Sequence, residues 1–257
     1  MASLHKETVL SVNHWTESLF SFTTSRNPSF RFQSGQFTMM GIEHNDRPLL
    51  RAYSIVSAHY QDQLEFFSIK VPSGGLTSQL KNIEVGDEVL VNSKATGSLL
   101  QDQLLPGKHL YLLSTGTGLA PFLSIIQDPD VYQRYDKIIL THCCRHVEDL
   151  AYGDLITKQL PEHELLGELV REKLLYYPTV TREDFHTQGR LTALLESGKI
   201  SQDLGLPPLD PQSDRFMICG GPAMLKELSG ILQSLNFRES RSGQLGEFVV
   251  ERAFADQ

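Results

Sequence analysis

Ser114-Thr115-Gly116-Thr117-Gly118-Leu119-Ala120-Pro121 is the stretch on which the architecture of this chain turns. It follows an apolar run, residues 110–114, that reads as a buried strand. It opens a second apolar run, residues 120–132, that reads as a helix with proline near its first turn. Glycines between a strand and a helix let backbone approach a ligand closely, and a helix start offers unpaired N–H groups to an anion such as a pyrophosphate. The third glycine of the usual dinucleotide fingerprint is missing, so the loop is a variant of it.

Working outward toward the C-terminus, the same rhythm repeats. Strands are expected at residues 137–142, 174–180, 216–219 and 248–252, and helices at 148–160, 191–196 and 222–235. In the last helix Leu225, Leu228, Leu232 and Leu235 share one face and Pro222 occupies the first turn. Strands alternating with helices predict a parallel sheet covered on both faces. Toward the N-terminus the pattern is different. Short segments at 7–12, 19–24, 36–42, 51–57, 64–71 and 88–92 are separated by turn signals such as Asn45-Asp46 and Gly86-Asp87, and Phe67, Ile69 and Val71 alternate with polar residues. Six such segments predict a small antiparallel barrel, interrupted by a helix near residues 76–81. The expected fold is therefore a six-stranded antiparallel β-barrel, residues 1–102, followed by a parallel-sheet α/β nucleotide-binding domain, residues 103–257.

The composition narrows the function. The 257 residues are 40% apolar and 21% charged, a balance that supports a packed core. Lys and Arg total 23 against 31 Asp and Glu, for a net charge of −8 with no block of like charge. That argues against a general nucleic-acid binder. The opening MASLHKETVL lacks a signal-peptide core, and the longest uncharged stretch, residues 109–127, is too rich in glycine, proline and hydroxyls for a spanning helix. No membrane association is expected. Three cysteines, two of them adjacent, do not make a disulfide framework, so a reducing cytoplasm is the expected location. An all-cysteine iron–sulfur cluster needs four thiolates, one more than this chain has. Cys143 and Cys144 are poor joint ligands, and His142 and His146 lack structural zinc spacing, so no metal is expected.

Four further constellations carry chemistry. Arg51-Ala52-Tyr53-Ser54 places Arg51 and Tyr53 on one strand face, where a guanidinium can meet a phosphate while a ring packs on a flat cofactor. Pro72-Ser73-Gly74-Gly75-Leu76-Thr77-Ser78 puts two glycines and hydroxyls at a helix start, a favourable place for an anion. Thr181-Arg182, with Arg190 following, offers two guanidiniums to a phosphomonoester. Cys219-Gly220-Gly221-Pro222 ends a strand and opens a helix, where ligands of parallel sheets bind. Read singly, each also has a plain structural reading: a solvated strand, a capped helix, surface arginines, a small residue before a glycine turn.

As a series, Arg51-Ala52-Tyr53-Ser54, the Gly74-Gly75 loop, Gly116-Thr117-Gly118-Leu119-Ala120-Pro121 and Cys219-Gly220-Gly221-Pro222 resemble the ferredoxin–NADP⁺ reductase family. More narrowly, they resemble the bacterial ferredoxin/flavodoxin–NADP⁺ reductases, over nearly the whole chain. The resemblance implies an FAD-binding barrel and an NADP-binding α/β domain. It implies hydride exchange between NADPH and flavin N5, and ferredoxin or flavodoxin as a transient one-electron partner of a monomeric enzyme. Arg51, Ala52, Tyr53 and Ser54 would contact FAD, with Arg51 at the pyrophosphate, Tyr53 against the isoalloxazine and Ser54 near N5. Ser68, Ile69, Lys70 and Val71 would line the flavin, and Leu76, Thr77 and Ser78 would face its pyrophosphate. Gly116, Thr117, Gly118 and Pro121 would approach the NADP pyrophosphate, and Arg145, Thr181, Arg182 and Arg190 its other phosphates. Cys219, with Gly220 and Gly221, would sit beside the nicotinamide, and Glu251 matches a carboxylate near the family's C-terminus. Ala253 stands where plant-type members end in a tyrosine, so Ser54, Cys219, Glu251 and Ala253 would form the catalytic set. The C-terminal tail, with Phe254, would return to the FAD. The same fold also serves as an oxygenase reductase component, a free-flavin reductase or a non-catalytic electron-transfer subunit. Lys70, Lys94 and Arg47 are the candidates for a basic docking surface.

Overall fold

The computed structural model describes residues 3–71, 74–241 and 243–252. Six strands make the first sheet: β1 (Leu4–His14), β2 (Leu19–Thr24), β3 (Phe37–His44), β4 (Arg47–Ser54), β5 (Leu64–Ile69) and β6 (Glu88–Thr96). Their order is β4-β3-β6-β1-β2-β5, every pairing antiparallel. The outer strands meet at the Ile55–Phe66 bridge, which bends the sheet round on itself as the expected barrel. Phe20, Phe22, Phe30, Met40 and Phe66 fill its interior. β3 and β4 run further than their apolar patterns suggested, right up to a two-residue turn. Asn45 (φ 51°) and Asp46 (φ 58°) both take left-handed backbone there, which matches the strand twist and which Asn and Asp tolerate better than most residues.

The second sheet is wholly parallel. Its strands are β7 (His109–Thr115), β8 (Lys137–Cys144), β9 (Leu174–Val180), β10 (Asp214–Gly220) and β11 (Phe248–Arg252), in the order β11-β10-β7-β8-β9. The order therefore reverses between β7 and β10. That makes a switch point, where the chain leaves adjacent strands in opposite directions and a crevice opens at their carboxyl ends. Alternation along β7 sorts the core into two layers. Leu110 and Leu112 pack with Phe122 and Ile126 of α2 (Ala120–Ile126), Val131 of α3 (Pro129–Arg134) and Val170 of α4 (Gly167–Lys173). Tyr111 and Leu113 pack with Leu194 of α5 (Leu191–Glu196), Ile200 of α6 (Lys199–Asp203) and Leu228 of α7 (Pro222–Ser234). No helix among the described residues is long and apolar enough to cross a membrane.

Two expected helices came out differently. The single helix over residues 120–132 is broken, because Asp128 caps a new one, accepting from the Asp130 N–H at 3.0 Å, and Pro129 cannot continue the old one. The helix over 148–160 is instead a short 3₁₀ turn, Val147–Asp149, and a π-helical turn, Leu155–Gln159. Between them Tyr152 sits at φ 63°, which no α-helix accommodates.

The two sheets share one apolar cluster. Leu19, Val56 and Phe67 of the first pack with Leu119, Leu123 and Tyr152 of the second. Hydrogen bonds cross the same boundary: Ser124 Oγ to the Ser57 carbonyl (2.6 Å), Gln127 Nε2 to the Val56 carbonyl (3.1 Å) and Tyr60 Oη to the Gln127 carbonyl (2.9 Å). Behind the linker, buried Arg215 donates to the carbonyls of Leu105 (2.9 Å), Pro106 and Pro211 (2.8 Å).

Candidate active site

A cavity of about 610 Å³ opens at the carboxyl ends of β7, β8 and β9. The first strand supplies Gly116 and Thr117, the second Arg145, and the third Thr181 and Arg182, with Arg190 from the start of α5. Ser18, Leu19 and Ile69 close it from the barrel. The cavity thus lies between the two sheets, and it gathers six of the α/β residues named from the sequence with one from the barrel. All three arginines are exposed, and Asp149 is the carboxylate facing them. An anion is the ligand such a surface favours.

The loops that carry the arginines are tied together. The Arg182 N–H donates to the Arg145 carbonyl at 3.0 Å, and Thr181 Oγ1 to the Cys144 carbonyl at 3.4 Å. Glu183 accepts from the Val147 N–H and faces His146 Nδ1 at 3.8 Å. Arg190 lies against Glu227 of α7 at 3.2 Å, an exposed pair worth little by itself.

The glycines divide by what a side chain would meet. Gly116 has φ 52°, and a Cβ on it would meet nothing within 4 Å. It lines the cavity, so its missing side chain leaves room for a ligand at the loop backbone. Gly118 is different: its Cβ would fall 2.3 Å from the Cys219 carbonyl oxygen, so glycine is needed for the loop to pack on β10. Gly220 packs likewise, its Cβ falling 2.6 Å from Thr115 Oγ1, whereas Gly221 has open space. Pro121 is buried in the first turn of α2.

On the barrel, Arg51 stands beside the glycine loop. Its Nη2 lies 4.0 Å from where a Gly75 Cβ would be, while Nη1 donates to the Leu50 carbonyl at 2.8 Å. Tyr53 is 9% exposed, its hydroxyl 3.0 Å from Ser68 Oγ and its ring edge-on to Phe66. Burial pushes that hydroxyl's pKa up. Ala52 and Ser54 are half-buried on the same strand. The Lys70 N–H donates to the Ser18 carbonyl at 2.7 Å and its ammonium lies 5.9 Å from the Phe20 ring centre. In α1 (Thr77–Leu80), Leu76 at the start turns into the barrel core. Thr77 and Ser78 spend their hydroxyl protons on the carbonyls of Val71 (3.3 Å) and Gly75 (3.3 Å). Pro72, Ser73, Ala253 and Phe254 lie outside the described residues.

Cys219 and Glu251 are register partners on β10 and β11. Cys219 is 0% exposed and does not line the cavity; burial first, and the neighbouring Glu251 second, push its thiol pKa well up. Glu251 Oε2 accepts from the Ser98 N–H (2.9 Å) and Oγ (3.3 Å), while Oε1 is buried with no partner. Burial raises this carboxyl to about 7, against the opposing pull of the Ser98 bonds. Glu251 therefore changes protonation near neutrality, where proton-handling groups are useful.

Cavity residues that the sequence reading did not name include Ser18, Leu19, Asp149, Thr192 and Met224. Nothing local marks Ser18 and Leu19, since they join the site only through the docking of two sheets. Met224 had a signal, lying two residues after Pro222 in the first turn of α7. Cys143 and Cys144 line the cavity wall, and His142 behind them, 3.2 Å from Cys144 Sγ, is pushed down to about 4 by complete burial and is neutral.

Two family models match the chain: an oxidoreductase FAD-binding domain over residues 2–99 and an oxidoreductase NAD-binding domain over residues 112–229. A ferredoxin–NADP reductase of Pseudomonas aeruginosa is 59% identical over all of both chains. A flavodoxin/ferredoxin–NADP reductase of Rhodobacter capsulatus is 48% identical over 98% of this chain and 93% of its own. Among solved structures, a ferredoxin NADP⁺ reductase from Neisseria gonorrhoeae with bound FAD and NADP superimposes with a TM-score of 0.90 at 35% identity, covering 99% of this chain and 100% of its own.

Proposed function

This chain belongs to the ferredoxin–NADP⁺ reductase family, and on that premise we propose that it exchanges electrons between NADPH and a one-electron carrier, ferredoxin or flavodoxin, through FAD. The observation that carries the proposal is the cavity between the sheets. It joins a glycine-exposed backbone at the switch point, three arginines and the apolar barrel residues Leu19 and Ile69 in one space. The residues present fit both groups. Gly116 leaves open room over its backbone, and Arg51 stands over the exposed Gly75.

Bound FAD supplies two-electron and one-electron redox chemistry that no side chain of this protein has. The chain's own share is binding, orientation and exclusion of water. Arg51, with Leu76, Thr77 and Ser78, would hold the FAD pyrophosphate; Ala52, Tyr53, Ser54 and residues Ser68, Ile69, Lys70 and Val71 would flank the flavin. Gly116, Thr117 and Gly118 would bring loop backbone to the NADP pyrophosphate. Arg145, Thr181, Arg182 and Arg190 would take its remaining phosphates, the 2′-phosphate among them. Leu19 and Ile69 wall the cavity with apolar surface. Glu251 would hold or release a proton at its carboxyl near neutral pH. Cys219, fully buried here, would shape the nicotinamide end from beneath the loop, and Ala253 and Phe254 would cover the FAD from the C-terminal tail.

One-electron traffic must leave the chain, because its three cysteines cannot build a four-thiolate cluster. Exposed Arg47 and Lys94, with half-buried Lys70, are our candidates for a basic docking surface on an otherwise acidic protein. We further assign a cytoplasmic, monomeric enzyme with transient partners, and a division into residues 1–102 for FAD and 103–257 for NADP. The test is an absorbance spectrum of the purified protein before and after anaerobic NADPH, followed by cytochrome reduction with and without ferredoxin. A flavin spectrum bleached by NADPH and a ferredoxin-dependent rate are expected. A colourless protein, or one that NADPH leaves unchanged, would sink the proposal.

A further inference from the structure

Tyr152 is buried, 4% exposed, yet its backbone is left-handed at φ 63°. A tyrosine keeps that conformation only where its surroundings hold it. The surroundings belong to the other sheet. Its hydroxyl donates to Glu65 Oε1 at 2.6 Å, its ring lies 4.5 Å from the Trp15 ring centre, and Phe67 meets it edge-on at 5.2 Å. Trp15 Nε1 in turn donates to Ser21 Oγ at 3.1 Å, and Ser21 also pairs with the Glu65 carboxyl, so the polar groups form one buried network.

Both ends of this contact run directly into the nucleotide cavity. Asp149 lines the cavity three residues before Tyr152, and the Ala151 N–H donates to the Asp149 carbonyl at 2.8 Å. On the barrel side the Trp15 N–H donates to the carbonyl of Leu19, itself a wall of the cavity, at 2.9 Å. Other cross-boundary hydrogen bonds, among them those from Ser124 and Gln127 to the carbonyls of residues 57 and 56, from Tyr60 to Gln127 and from Ser98 to Glu251, do not involve cavity-lining residues.

We propose that Tyr152, hydrogen-bonded to Glu65 and packed at a tilt against Trp15, is a positioning residue that fixes how closely the nucleotide cavity of the α/β sheet faces the barrel, and through it the geometry of electron exchange. The inference rests on the reductase reading above. It needs the latch to be stiff, and the network has the means. A short hydrogen bond to a carboxylate is strong in a dry setting, and removing the donor strands a buried acceptor. Transfer between two bound rings is steep in distance, a misplacement of about 1 Å costing about 100-fold.

The experiment uses the FAD-loaded enzyme and two variants. Tyr152→Phe keeps the ring contact with Trp15 and removes the donor; Glu65→Gln keeps a carbonyl that can still accept. We expect Tyr152→Phe to slow flavin reduction by NADPH about 10-fold in stopped flow and to weaken the long-wavelength nicotinamide–flavin charge-transfer absorbance. FAD content and the Kd for NADP⁺ should stay within about twofold. Glu65→Gln should stay within about threefold of wild type in rate. Trp15 is the only tryptophan, so acrylamide quenching of its fluorescence reads the latch without any turnover, and it should rise in Tyr152→Phe. A wild-type rate and charge-transfer band in Tyr152→Phe overturn the proposal. So does a rate loss matched by equal loss of NADP⁺ affinity or FAD, which marks a merely structural role. If wild-type protein is not reduced by NADPH at all, the reductase reading fails instead, and unchanged Trp15 quenching in Tyr152→Phe then disproves the latch separately.

Discussion

Replacing Glu251 with glutamine should make the protein more stable at pH 8 and leave it nearly unchanged at pH 4. Folding lifts this carboxyl from the ordinary 4.5 to about 7. Below the lower value the group is protonated in both states and contributes no difference. Between the two values the folded chain keeps a proton that the unfolded chain has released, so rising pH favours unfolding. The span corresponds to about 3 kcal/mol at about 1.4 kcal/mol per tenfold. Glu251 as a whole is half-buried and keeps some hydration, which lowers our expectation to about 1–2 kcal/mol. Glutamine keeps the acceptor for Ser98 and carries no charge at any pH, so it mimics the protonated carboxyl throughout. At about 2–4 °C per kcal/mol for a chain of this size, Glu251→Gln should melt roughly 2–8 °C above wild type at pH 8. The assay is thermal unfolding of both proteins across pH 4 to 8. A Tm difference that does not change with pH would show that burial of Glu251 is not what raises it, and would remove the group from the proton-handling role.

Arg182→Ala should lower kcat/KM for NADPH by roughly 10- to 150-fold, the loss of one charge-assisted contact, and should barely affect NADH; equal losses with both would exclude Arg182 as a 2′-phosphate ligand. The two glycines of the switch-point loop should separate cleanly. Gly118→Ala drives a methyl to 2.3 Å from a backbone oxygen and should cost about 1–3 kcal/mol of stability, read as a fall in Tm. Gly116→Ala enters open space but at φ 52° costs about 1 kcal/mol of left-handed backbone strain, and it should chiefly weaken NADP⁺ binding in a titration; if Gly116→Ala loses more stability than Gly118→Ala, the division of roles is wrong.

The sequence was most informative where local chemistry and architecture coincide. The Ser114–Pro121 stretch announces strand, loop and helix in eight residues, and the β7–loop–α2 order follows from it. Thr181, Arg182 and Arg190 could be named because two guanidiniums after a strand suit a phosphate, whereas Arg145 came only with the family resemblance. Other features depended on partners far along the chain. Leu19 and Ile69 read as barrel strand residues, and only docking makes them cavity walls. Glu65 looked like one of many acidic residues until Tyr152 lay across from it. The same tyrosine defeated the helix expected over 148–160, since nothing in its neighbours foretells a left-handed residue held from outside. The break at Asp128-Pro129, by contrast, is carried by local residues, a capping aspartate followed by a proline.

The apolar cluster shared by both sheets bears on how the chain is made. A ribosome releases the barrel first, when Leu19, Val56 and Phe67 have none of their later neighbours from α2 or from Tyr152. Those side chains stay wet until the second sheet has been synthesised, and a growing chain with such a surface is prone to sticking before it is finished. The barrel is thus first to emerge, while the burial of this one face waits for the nucleotide-binding half.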